Sequence, residues 1–208
     1  MAKNTSPDCK QCRREGCKLF LKGERCLTKC AFDKRPVAPG PHATGRKKVS
    51  EYGLQLREKN KVRRAYGILE KQFRIAYEKA ARSKEATGWA LLKSLELRLD
   101  NVIYRFGLGV SRSEARQIVN HGHITVNGKK VNIPSYIVKA GDVIEVREKS
   151  KNLGVVLAAV QSQTRDFPSY LEVDAGKLTS KFTFVPKFED VPYPCMMEPN
   201  LVIEFYSR

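Results

Sequence analysis

Ser111-Arg112-Ser113-Glu114-Ala115-Arg116-Gln117-Ile118-Val119-Asn120-His121-Gly122-His123-Ile124-Thr125-Val126-Asn127-Gly128-Lys129-Lys130-Val131 is the stretch whose pattern decides the fold. Ser111 and Glu114 stand at capping-box spacing, which marks the start of a helix. Ala115, Ile118 and Val119 form its buried face, and Arg112 and Arg116, four apart, share the opposite one. Gly122 turns the chain into a strand whose Ile124 and Val126 point inward. Asn127-Gly128 suits a tight hairpin turn, with Lys129 and Lys130 at its tip. The expected product is a small α/β unit that presents Arg, His, Asn and Lys together. Arg grips phosphate through two hydrogen bonds, and His or Asn reaches sugars and base edges. The plainer reading is a small αβ motif with a solvated basic face, and composition alone does not separate the two.

Working outward, Gly107-Leu108-Gly109 ends the helix before this unit. That helix is expected from about Thr87 to Phe106, with Leu91, Leu92, Leu95, Leu99, Val102, Ile103 and Phe106 on one stripe. Another is expected over about 69–82, where Leu69, Phe73, Ala76, Tyr77 and Ala80 recur at helical spacing. A basic helix over 50–64 carries Tyr52, Leu54 and Leu56 among Arg57, Lys59, Lys61, Arg63 and Arg64. Downstream, a strand is expected at 143–148, a helix near 152–163, and strands near 170–174 and 179–185. These apolar stripes read as core and not as cofactor boxes. A boundary between helical and mixed parts is expected near residues 97–107. The amphipathic tail Leu201–Arg208 is expected to pack back on the helical part.

Across 208 residues, 39 Lys plus Arg face 22 Asp plus Glu, for a formal net charge of +17 and a pI near 9.8. Such an imbalance repels itself in a folded chain and usually answers to a polyanion. Its position sharpens the argument. Residues 1–64 hold 18 Lys plus Arg against 6 Asp plus Glu, so most of the excess lies in one segment, as an electrostatic footprint does. No apolar stretch follows Met1-Ala2-Lys3-Asn4-Thr5, so no signal peptide is expected. The apolar run Val155–Val160 is far short of the ~20 residues that cross a bilayer, so no membrane partner is expected. The chain reads as intracellular, where thiols stay reduced.

Residues 1–48 are rich in Lys, Arg, Gly and Pro and show no sustained apolar period. Arg35-Pro36-Val37-Ala38-Pro39-Gly40-Pro41-His42 should be extended. So polar a segment needs something other than a core of its own to order it. Five of the six cysteines crowd into residues 9–30. Cys9-x2-Cys12 and Cys26-x3-Cys30 form two close pairs, a spacing that lets four thiolates surround one ion. One structural zinc ion is the favoured reading, because its binding free energy then becomes folding free energy. An iron–sulfur cluster or four inert thiols are the alternatives. Cys17 lies between the pairs and could replace a ligand, and His42 could also bind metal. Cys195, far along the chain, reads as a packed or incidental thiol.

The stretch 111–131, with Val143–Glu148 as its closing strand, resembles the S-four RNA-binding module. The resemblance continues through Arg13-Arg14-Glu15-Gly16, Leu21-Lys22-Gly23-Glu24-Arg25-Cys26, Leu56-Arg57-Glu58-Lys59, Tyr66-Gly67, Leu97-Arg98-Leu99-Asp100-Asn101-Val102-Ile103-Tyr104-Arg105 and Leu201–Arg208. It covers essentially the whole chain and is to the bacterial-type small-subunit ribosomal protein S-four family, in its zinc-containing variant. Two departures stand out. The family's second cysteine pair is usually spaced by four residues and here by three, and its Pro-Gly-x-His-Gly becomes Pro39-Gly40-Pro41-His42-Ala43.

The resemblance implies an α+β fold: a zinc-stapled basic arm (1–48), a helical domain (49–97, joined by about 196–208) and an α/β domain (98–195) containing the module (about 98–163). It implies a structural protein of the small ribosomal subunit that binds rRNA at a 5′-domain helix junction, nucleates assembly and contributes to decoding accuracy. Arm, basic helix and module face should supply a broad cationic surface. The contact residues expected on it are Arg46, Lys47, Lys48, Arg57, Lys61, Arg63, Arg64, Arg112, Arg116, His121, His123 and Lys129. Neighbouring small-subunit proteins and messenger RNA, where it enters the subunit, are further implied partners. Localisation would be a cytoplasmic ribosome, with an organellar one left open. An RNA-modifying enzyme carrying the same module is the main rival. The sequence offers no convergent carboxylates, nucleophile–histidine set or nucleotide-binding glycine loop, so neither catalysis nor a small-molecule substrate is expected. A zinc-containing DNA-binding regulator is a second rival, and it would concentrate its charge on one groove-entering helix.

Overall fold

The structure is a computed structural model that describes residues 4–41, 43, 45, 48–163 and 165–208. Its helices are α1 (Asp8–Glu15), α2 (Arg25–Thr28), α3 (Ala31–Lys34), α4 (Glu51–Ala65), α5 (Glu70–Ala81), α6 (Thr87–Glu96), α7 (Leu99–Phe106), α8 (Arg112–Asn120), α9 (Gly154–Gln161) and α10 (Pro199–Tyr206). The strands are β1 (Ile124–Val126), β2 (Lys129–Lys130), β3 (Val143–Val146), β4 (Leu171–Asp174) and β5 (Thr179–Phe182). The chain divides into two compact units, residues 1–92 with 193–208 and residues 93–192.

In the first unit, three short helices form where the sequence predicts none. Elements of four to eight residues are too short for periodicity to register, and side-chain anchors hold them instead. Leu19 is fully buried and Cys12, Cys26 and Gln11 nearly so. Arg13 Nε donates to the Val37 carbonyl at 2.8 Å and Arg14 to that of Pro39 at 2.9 Å. Two of the arm's cations therefore fasten its proline-rich segment, which bends at Val37, Pro39 and Gly40.

Ser50 caps α4 by accepting the Gly53 N–H at 3.2 Å. The tail helix α10 packs on α4, burying Val62 and Val202 completely. Each such burial contributes about 1.5–3 kcal/mol. Polar links fix the register: Gln55 donates to Glu204 at 2.9 Å, and the Tyr206 hydroxyl donates to Glu70 at 2.7 Å. A Cβ on Gly88 would come within 2.9 Å of Pro199 Cβ, so the start of α6 approaches α10 only because that side chain is missing.

In the second unit the sheet is antiparallel throughout, in the order β2-β1-β3-β5-β4. Ile124 pairs with Val146 and Val126 with Ile144, so all four apolar side chains face the same core, as the alternation predicts. Asn127 and Gly128 take φ values of +50° and +75°, the left-handed pair that a two-residue hairpin requires. Leu99, Ile103, Leu108, Tyr170 and Phe182 fill the space between the sheet, α7 and α8.

One predicted helix is two. The stripe from Leu91 to Phe106 runs across a break at Leu97-Arg98, where the backbone forms a bridge between Arg98 and Ile137 and Leu97 accepts the Val138 N–H at 2.9 Å. Because the stripe continues on both sides, burial periodicity conceals the change of backbone partner. α7 ends at Gly107 (φ +87°), where a side chain would also collide with Gln163.

Candidate nucleic-acid interface

The unit built around α8 sorts its basic residues into two kinds. Arg112 and Arg116, expected on a solvent face, turn inward. Arg112 is 8% exposed, donates from Nε to Asn101 at 2.9 Å and stacks on Tyr104. Arg116 pairs with Asp100 at 2.9 Å with its side chain 11% exposed, and Arg98 grips the same carboxylate with two hydrogen bonds at 2.8 and 3.1 Å. Asp100 also accepts the Asn101 N–H at 3.0 Å. The reason is local: α8 is one-sided only for apolar residues, and the carboxylate and amide at the start of α7 give the two guanidiniums buried partners. Ser111 accepts the Glu114 N–H at 3.3 Å, while the Glu114 carboxylate reaches back to the Val110 N–H at 2.6 Å, one residue beyond the expected box.

The second kind gathers at the turn after α8. His121 and Lys129 are exposed, and His121 meets His123 edge-on with ring centres 5.9 Å apart. His123 Nδ1 shares a hydrogen bond with the Ser150 hydroxyl at 3.0 Å. Two cations outside the expected contact set join them. Arg147 donates to the Gly122 carbonyl at 3.2 Å, and the stem of Lys130 lies over Gly122, where a Cβ would strike it. Lys130 was visible at the hairpin tip, whereas Arg147 arrives only through the pairing of β3 with β1. Burial, followed by the charges of His121, Arg147 and Lys130, pushes the His123 pKa below its ordinary value. The ring thus sits in a positive field, which suits a phosphate neighbour.

On α4 the expected contacts divide again. Lys61 pairs with Glu58, Arg63 with Glu70 at 3.4 Å, and Arg64 with the fully buried carboxylate of Glu15. Arg57 remains 45% exposed, 3.8 Å from the same Glu15, and Lys48 is exposed. Burial raises the Glu15 pKa, and the Arg64 charge opposes it. Lys10, Lys22, Arg25, Lys29, Lys34 and Arg35 are exposed on the arm, outside the expected contact set. Arg46, Lys47 and His42 lie outside the described residues.

The four expected metal ligands line one pocket. Cys9 and Cys12 come from α1, Cys26 from α2 and Cys30 from the start of α3, with Asp8, Leu21, Lys22, Lys29 and Phe32 among the other walls. The Lys22 N–H donates to Cys26 Sγ at 3.3 Å. Burial, with Cys26, Cys17 and Cys30 nearby, pushes the Cys12 thiol up to about 11. A donor set of four sulfurs with a backbone N–H aimed at one of them fits a soft divalent ion, whose charge would reverse that shift. Among the described residues, however, no group of three or more His, Cys, Asp or Glu side chains is arranged to hold a metal ion, so the arm as it stands is not a closed ligand shell.

Comparison with known proteins covers the whole chain. Residues 3–96 match the ribosomal protein S4/S9 N-terminal domain, and residues 97–144 match the S4 domain. The small ribosomal subunit protein uS4 of Pelotomaculum thermopropionicum is 55% identical over 210 residues, covering all of both chains. The chain belongs to the uS4 family. The uS4 proteins of Clostridioides difficile and Nitrosospira multiformis match at 55% and 54%, again over the full length of both chains. In this uS4-family chain the junction between the two domain matches falls at the break between α6 and α7. The cysteine pocket lies within the first match. His121, His123, Lys129 and Lys130 lie within the second, and Arg147 just beyond it. No helix among the described residues is long and apolar enough to cross a membrane.

Proposed function

We infer that this chain is a structural, non-catalytic component of the small ribosomal subunit that binds small-subunit rRNA. The observation that carries the reading is the cluster of His121, His123, Lys130 and Arg147 around the Gly122 turn, seated on a rigid helix–hairpin core. A cationic face on a fixed scaffold recognises the shape and phosphates of folded RNA. Lys48, Arg57 and Lys129 extend the contact set. The inward Arg112 and Arg116 serve the RNA face by holding α8 in place.

The finer role is binding at a 5′-domain helix junction, early in assembly. Contacts to neighbouring small-subunit proteins and to messenger RNA near its point of arrival accompany it, with a contribution to decoding accuracy, in a cytoplasmic ribosome. A titration against a 5′-domain rRNA fragment, in excess transfer RNA and at several salt concentrations, tests this. Tight binding that survives the competitor and falls steeply with salt is expected. Equal, weak binding to both RNAs would overturn it.

One structural zinc ion held by Cys9, Cys12, Cys26 and Cys30 completes the arm. Convergence of the four thiols on one pocket supports the reading. Bound there, the ion would supply charge neutralisation and a cross-link among α1, α2 and α3, with no open position for chemistry. Purified native protein is expected to hold about one equivalent of zinc, whereas less than about half an equivalent with all four thiols freely reactive would sink the assignment.

A further inference from the structure

We propose that Cys17 and Cys195 are a redox-active thiol pair that closes to a reversible disulfide when hydroperoxide reaches the protein. Their sulfurs lie 3.2 Å apart across 178 residues of sequence, and both side chains are partly buried. A disulfide bond is about 2.05 Å long, so closure needs an approach of only about 1 Å, within the range of a small side-chain rotation.

The contact is built from both sides against α4. The chain leaves α1 at Gly16, and the Cys17 N–H donates to the Cys12 carbonyl at 3.3 Å. Two residues earlier, Glu15 is gripped by Arg64 of α4. On the other side, Lys61 of α4 donates to the Met196 carbonyl at 3.2 Å, and Glu58 of α4 accepts the Glu198 N–H at 2.9 Å. The segment carrying Cys195 is thus pinned at two points, and α4 sets the distance between the thiols. Neither sulfur lines the pocket of the other four cysteines. Cys17 and Cys195 are themselves only partly buried, and Met196, beside Cys195, is 82% exposed.

The chemistry balances with hydrogen peroxide as the two-electron oxidant. The Cys195 thiolate attacks the peroxide oxygen, the O–O bond breaks, and hydroxide leaves, taking a proton to become water. The Cys17 sulfur then attacks the sulfenic sulfur, its own proton passes to the departing hydroxyl, and a second water leaves. The two sulfurs are interchangeable in this sequence of bonds, because their 3.2 Å separation alone fixes the partner. In a reducing compartment the pair stays open, and it closes only when oxidant rises, which is the usual behaviour of a sensing pair. The bond would tie the arm to the segment before α10 independently of the four pocket thiols.

The test treats the reduced, full-length protein with hydrogen peroxide, blocks remaining thiols with iodoacetamide, and maps the peptides by mass spectrometry. The expected result is a Cys17–Cys195 linked peptide as the main oxidation product, lost on treatment with dithiothreitol. Cys17→Ser and Cys195→Ser should each abolish it, with circular dichroism confirming that the variants are folded. Separate alkylation or sulfinic oxidation of the two thiols overturns the proposal. So does a bridge from Cys17 to any of the four pocket cysteines.

Discussion

The guanidinium of Arg112 stacks on the ring of Tyr104, its central carbon 4.4 Å from the ring centre. Arg165 lies 3.9 Å from the same centre and donates to the Gly109 carbonyl at 2.8 Å. The aromatic ring therefore carries two cations that are anchored elsewhere by hydrogen bonds, one to Asn101 and one to backbone. Arg112→Ala removes a buried stack and leaves the Asn101 side-chain Oδ1 without its Arg112 donor. It is expected to cost about 2–4 kcal/mol of stability. Lys129→Ala, at an exposed hairpin tip, should change stability by less than about 0.5 kcal/mol. Urea unfolding of the two variants checks the contrast, and equal losses would contradict the inward role of Arg112.

Glu96 gives the fold an acid limb. Its side chain is 1% exposed and accepts from Arg105 Nε and from the Tyr170 hydroxyl, each at 2.7 Å. Burial alone would raise its pKa, but the charge and hydrogen bond of Arg105, with Arg112 and Tyr170 behind them, bring it down from 4.5 to about 2. A carboxylate depressed in the fold stabilises it fully above the unfolded pKa and loses that stabilisation as pH falls from about 4.5 toward 2. The shift corresponds to something on the order of 3 kcal/mol. Denaturant midpoints measured across that window should fall steeply in the native protein. Glu96→Gln should be less stable at neutral pH, because Arg105 loses its counter-charge, and should show a flatter acid limb.

Legibility from sequence followed the length scale of the signal. The helix–hairpin unit could be read because capping, apolar alternation and turn chemistry agree over twenty consecutive residues. The break at Leu97-Arg98 could not, because the partner that replaces helical hydrogen bonding there is Ile137, nearly forty positions on. Site residues divide in the same way. His121 and Lys129 are exposed because turns are exposed. Arg112 and Arg116 carry the same basic signal, yet their side chains find Asn101, Tyr104 and Asp100 in three dimensions. A charge on a helix says nothing of which acid lies across from it, so Lys61, Arg63 and Arg64 also proved to be paired.

The Gly122 turn makes a prediction about salt. Each cation that displaces a counterion from RNA contributes about one unit to the slope of log affinity against log salt, reduced to about 0.7 on single strands. Lys129→Ala and Lys130→Ala should each lower the slope by roughly that amount and weaken binding uniformly across RNA sequences. Arg116→Ala should instead weaken binding in proportion to its loss of stability. Filter-binding titrations over a salt series distinguish the two patterns, and an unchanged slope in the Lys129→Ala, Lys130→Ala double variant would remove this turn from the interface.

Gly107 couples the end of α7 to the segment after α9. Its φ of +87° disfavours any side chain, and a Cβ there would also run into the Gln163 side chain. The Gln163 amide is itself held by a hydrogen bond to the Arg165 carbonyl at 2.9 Å, so it is not free to swing aside without loosening the arginine that stacks on Tyr104. Gly107→Ala therefore meets two penalties, backbone strain of about 1 kcal/mol and a collision of similar size. Gln163→Ala opens the space, so in the double variant only the strain should remain. Unfolding measurements on the two single variants and the double variant are expected to give a coupling of about 1 kcal/mol. Strict additivity would mean that the two side chains do not compete for the same volume.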